Sequence, residues 1–112
     1  MTWADARQDA ERLLAALPPI ASTRGALVAL AWYESQADLD LMQPENTWSV
    51  RHHQMVTRAA QRTLLKSGTK VRLVTLTAAA YLAWLRDRTN TPDLRAEYLT
   101  TQLRAGVPHD EI

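Results

Sequence analysis

Hydrophobic positions recur at helical spacing in four stretches of the chain, and in a fifth they fill every position. In the first, Trp3, Ala6, Ala10, Leu13 or Leu14, and Leu17 lie three or four residues apart, which predicts a helix over about 3–17. Thr2 can cap it, with Asp5 three residues on as the acidic partner. Pro18-Pro19 ends it, because proline supplies no amide and restricts the residue before it. Another helix is expected over about 47–67, with Val56, Ala60, Leu64 and His53 on its apolar side and Gly68 as a left-handed stop. Thr77 opens a third over about 78–88, whose apolar residues are Tyr81, Leu82, Trp84 and Leu85. The fourth opens at Thr91-Pro92-Asp93, which offers a cap, a proline at the first helical position and an acid against the positive helix end. Gly106-Val107 closes it with a Schellman-type signal.

The fully apolar stretch is 26–33, Ala-Leu-Val-Ala-Leu-Ala-Trp-Tyr. Its alanines favour a helix from Ser22 or Thr23 to about Asp38, since Ala is the best helix former and a poor strand residue. Apolar on all sides, such a helix would be the buried centre of the fold. The rival is a buried strand from Gly25 to Tyr33. Elsewhere only 70–76, Lys-Val-Arg-Leu-Val-Thr-Leu, reads as a strand. Its partner is either 39–43, where Leu39 and Leu41 alternate with Asp38 and Asp40, or the same strand of a second copy in a homodimer. The expected fold is therefore mainly α: about five helices around a buried central helix, with one short strand. It forms a single domain over 1–106 with a flexible tail over 107–112.

Composition narrows the class. A chain of 112 residues with 46% hydrophobic content can bury a core of its own as one domain. The absence of cysteine removes disulfides, thiolate metal sites and cysteine nucleophiles. No apolar run approaches the ~20 residues of a membrane span. The N-terminal Met-Thr-Trp-Ala-Asp-Ala-Arg has no secretory pattern, so the expectation is a cytoplasmic protein without membrane contact.

Charge changes the picture most. Between Asn46 and Arg86 there is no Asp or Glu, yet Arg51, Arg58, Arg62, Lys66, Lys70, Arg72 and Arg86 give a net +7. Residues 1–45 hold three Arg against seven carboxylates, net −4, and 87–112 hold three against five, net −2. The overall +1 thus hides a segregated distribution, and a one-sign face can capture a polyanion or an acidic surface. At 100° per residue, Arg51, Arg58, Arg62 and Lys66 fall within about 80° of one another on the 47–67 helix. Cations on one side of a helix can follow a phosphate backbone and release its counterions. Lys70 and Arg72 would extend the patch, and Trp48 beside it could stack on a base or anchor a protein contact. The bland alternatives are a solvated polar face, or one paired with the carboxylates of the first helix. Eleven Arg against two Lys also fit simple base composition.

Other chemistry is poorly supplied. His52 and His53 are adjacent, so on a helix they point about 100° apart and do not chelate together. Ser22, Ser35, Ser49 and Ser67 read as caps or helix ends, and Glu34, next to the apolar run, is the one carboxylate with a prospect of partial burial. Three glycines form no phosphate loop. No cofactor, metal or catalytic residue is therefore expected. The expected function is non-catalytic binding through the basic helix, with a nucleic-acid backbone as partner or, alternatively, an acidic protein surface docked by an adaptor, inhibitor or small assembly subunit.

Overall fold

The computed structural model describes residues 3–15, 27–104 and 109–111. At its centre lie two parallel strands, β1 (Leu27–Trp32) and β2 (Lys70–Thr75), paired in register from Leu27 opposite Lys70 to Trp32 opposite Thr75. A short β3 (His109–Glu111) runs antiparallel on the other side of β2. Five helices surround them: α1 (Trp3–Ala15), α2 (Gln36–Met42), α3 (Val50–Lys66), α4 (Ala78–Leu85) and α5 (Pro92–Arg104).

The expected central helix is thus a strand, and the rival reading of 26–33 is the one the molecule adopts. A parallel strand covered on both faces is apolar throughout, so it shows no alternation. Val28, Leu30 and Trp32 face the layer built by α1 and α3, together with Val71 and Leu73 of β2. Ala29 and Ala31 face the other layer, together with Val74. That second layer carries Tyr81, Trp84 and Tyr98, whose rings pack at 5.2–6.1 Å from one another. Small side chains on β1 leave room for large rings above them, so the alanines serve packing rather than helix formation.

The segment 39–43 is not β2's partner either. Ser35 caps α2 by accepting from the Asp38 amide at 3.1 Å, and Leu39 and Met42, three residues apart, are both fully buried while Leu41 is exposed. With β1 on one side and β3 on the other, β2 needs no second copy of the chain to satisfy its edges. Residues 109–111 of the expected tail form β3. The predicted Schellman stop and the Pro18-Pro19 break lie outside the described residues.

The remaining elements follow their local signals. Ser49 caps α3 through the His52 amide, and Gly68 ends it at φ 81°. Thr91 caps α5 through the Leu94 amide. Thr77, in contrast, makes no side-chain cap bond; the Ala78 amide donates instead to Asp38 Oδ1 at 2.9 Å. Asp38 also accepts from Ser35 Oγ, so one carboxylate joins the start of α2 to the start of α4.

A candidate polyanion-binding face on α1 and α3

α3 is buried along a broad stripe, His52, Val56, Thr57, Ala59, Ala60, Gln61 and Leu64, because it meets both the sheet and α1. Ala6 and Ala10 bring α1 close against it. The acidic first helix therefore lies on the basic helix, and the charge segregation along the sequence is partly folded away. The link is specific: His52 Nε2 donates to Asp9 Oδ2 at 2.7 Å, with the ring buried, and Asp9 also meets Arg12 at 3.5 Å. His52 rather than His53 is thus the more buried of the pair. His53 is half-buried, its ring edge-on to Tyr33 at 5.0 Å and near Trp48 at 5.9 Å. Burial, and secondarily the neighbouring His52, lowers its pKa to about 4. It is therefore neutral at pH 7.

The seven sequence-predicted site residues do not form one patch. Arg51, Arg62 and Lys66 are exposed on α3. Arg58 is half-buried: its guanidinium lies 4.8 Å from the Trp32 ring and it donates to Gln61 Oε1. Lys70 and Arg72 alternate with Val71 and Leu73, which point toward α3, so they project from the opposite face of the sheet. They do not extend the α3 stripe. Trp48 is half-buried, edge-on to His52 at 5.0 Å, and borders a hollow that also contains Asp5 and Asp9. That hollow has the wrong sign for a phosphate.

The aromatic residue that does join the cations is Trp3, which the sequence offers only as one of the periodic apolar positions of the first helix. It is 38% exposed, and the Arg62 guanidinium sits 4.9 Å from its ring. Together with Arg7, Ala10, Glu11, Ala59, Thr63 and Lys66 they line a groove of about 280 Å³ between α1 and α3. Three cations face one carboxylate there. None of Arg7, Arg51, Arg62 or Lys66 makes an ion pair among the described residues. The i, i+4 spacing of Arg62 and Lys66 was visible in the sequence, and a meeting of the basic helix with the first helix was one of its alternatives, but the groove between them was not.

On the far layer Arg95 and Arg88 are committed, while Arg86 and Lys70 are exposed. Arg95 donates to the Met42 carbonyl and to Asn90 Oδ1 and pairs with Glu45. Arg88 stacks 4.2 Å over Trp84 and donates to the Leu85 and Trp84 carbonyls. Ser35 and Ser49 are helix caps, and Glu34 is exposed rather than part-buried. Among the described residues no three His, Asp or Glu side chains gather as metal ligands, and no helix is long and apolar enough to cross a membrane. Comparison of the chain with protein-family models, with curated proteins and with solved structures finds no match.

Proposed function

We propose that this chain is a small non-catalytic binding protein that docks a nucleic-acid backbone on the outer side of α3 and the adjoining α1–α3 groove. The observation that carries this reading is that Arg51, Arg62 and Lys66 stand exposed along one helix without acidic partners, with Arg7 beside them. From residue 51 to 66 the rise of an α-helix spans about 22 Å, enough for several phosphates. Each neutralised phosphate releases a counterion, so affinity should fall steeply with salt. Arg58 contributes less than its place on the helix suggests, because it is half-buried and already donates to Gln61 Oε1. The second reading, an acidic protein surface, draws on the Trp3–Arg62 pair, since Trp and Arg dominate protein hot spots.

Fluorescence anisotropy with labelled DNA and RNA at ~50 and ~200 mM salt tests the proposal. Three phosphate contacts predict a loss of about 15- to 50-fold across that range. Absence of binding at the lower salt would refute the nucleic-acid reading.

A further inference from the structure

We infer that the α1–α3 groove is a base-stacking subsite that makes the protein prefer single-stranded nucleic acid over duplex. The inference rests on the polyanion reading above and assigns the groove a ligand class. Its basis is the presence of an exposed indole among cations. Trp3 opens at the start of α1, Arg62 lies against its ring, and Lys66 follows one turn along α3. Four residues of helix place Arg62 and Lys66 about 6 Å apart along the axis, close to the step between neighbouring phosphates of an extended strand.

A duplex presents only its phosphates, because its bases are stacked inside. A single strand can turn a base toward Trp3 while its flanking phosphates meet Arg7, Arg62 and Lys66. Base–aromatic stacking tolerates any sequence, since every base has a π face. The groove is also small: about 280 Å³ lies at the lower end of ligand clefts, suited to one planar group rather than a folded element. Ala10 and Ala59, with side chains too short to fill it, floor the space between the helices. Glu11 is the one opposing charge among the three cations, and it leaves an acceptor for an exocyclic amine.

Arg51 lies outside the groove and supplies charge alone, which gives an internal control. The test compares a labelled dT12 strand and a labelled 12-base-pair duplex by anisotropy at fixed salt, for the unmodified chain, Trp3→Ala, Trp3→Phe and Arg51→Ala. Circular dichroism melting of each variant confirms that it is folded. The expected result is single-strand binding at least about ten-fold tighter than duplex binding, the size of one stacking contact. Trp3→Ala should abolish that ratio, Trp3→Phe should keep most of it, and Arg51→Ala should weaken both ligands by a similar factor. Equal affinity for strand and duplex, or a ratio unchanged in Trp3→Ala, would overturn the stacking subsite while leaving the polyanion reading intact. If neither ligand binds at ~50 mM salt, the polyanion reading fails and the subsite with it.

Discussion

The two layers that cover the sheet solve different problems with similar residues. The layer of α4 and α5 is closed. Its rings pack against one another, and two of its cations are tied down: Arg88 on Trp84, Arg95 between Asn90, the Met42 carbonyl and Glu45. Asn90 completes the network by accepting from the Tyr81 hydroxyl at 2.6 Å and donating to the Met42 carbonyl at 2.9 Å. The layer of α1 and α3 has a core of small and aliphatic residues, and of its outer cations Arg12 meets Asp9 while Arg7, Arg51, Arg62 and Lys66 make no ion pair among the described residues. A charge already held by a carbonyl and a carboxylate must be released from them before it can bind anything else. A solvated one needs no such release. The difference between the layers, rather than the number of arginines, is what favours the α3 side as the proposed binding surface.

Four experiments put the contrast between the layers at risk. Tyr81→Ala removes a fully buried ring and unties Asn90, and should cost about 3–5 kcal/mol by urea denaturation. Provided the variant still folds, its binding should be unchanged. Lowering the pH should act next most strongly. His53 titrates near 6.5 when unfolded and at about 4 in the fold, so the native chain holds fewer protons in between. Its contribution is fully present above about pH 6.5 and is lost as pH falls toward 4, by up to about 3 kcal/mol. His53→Phe should retain the edge contact with Tyr33 and show a correspondingly shallower acid limb than the unmodified chain.

Asp38→Ala comes third. It deletes the acceptor of the Ala78 amide and of Ser35 Oγ, and a lost cap of this kind costs about 1–2 kcal/mol. The smallest stability effect belongs to the proposed site. Arg62→Ala forfeits one exposed cation–π contact, about 0.5–1 kcal/mol, yet it should be among the most damaging to binding. A large loss of stability with no loss of affinity would reverse the assignment of Arg62 from binding to architecture.

Local chemistry made α3, β2 and α5 legible, because caps, a glycine stop and β-branched residues act within a few positions of one another; α4 was legible from its apolar residues, although its start is held by distant Asp38 rather than by Thr77. What the sequence concealed depends on distant partners. β1 reads as a helix because its alanines answer to Tyr81, Trp84 and Tyr98, about fifty residues away or more. Leu39 and Leu41 alternate like a strand, yet Leu39 and Met42 are the pair that is buried. The cationic stripe was visible as spacing. Its division into exposed Arg51, Arg62 and Lys66, covered Arg58, and Lys70 and Arg72 on another face was not, since that follows from where α1 and the sheet press on α3. Trp3 was hidden for the same reason, and Trp48 was drawn inward by His52 and His53.

The central claim is that binding belongs to the α3 layer and not to net charge in general. Two variants of equal charge test it directly: Arg51→Ala with Lys66→Ala on α3, and Arg86→Gly with Arg88→Ala on the far layer, both titrated with labelled single-stranded DNA across a salt series. Each cation lost from a phosphate contact should flatten the log–log salt slope by about 0.7, so the α3 pair should flatten it by about 1.4 and weaken binding throughout. The far-layer pair should leave slope and affinity close to those of the unmodified chain. Equal losses from both pairs would mean that the chain attracts polyanions without a site, and would contradict the account.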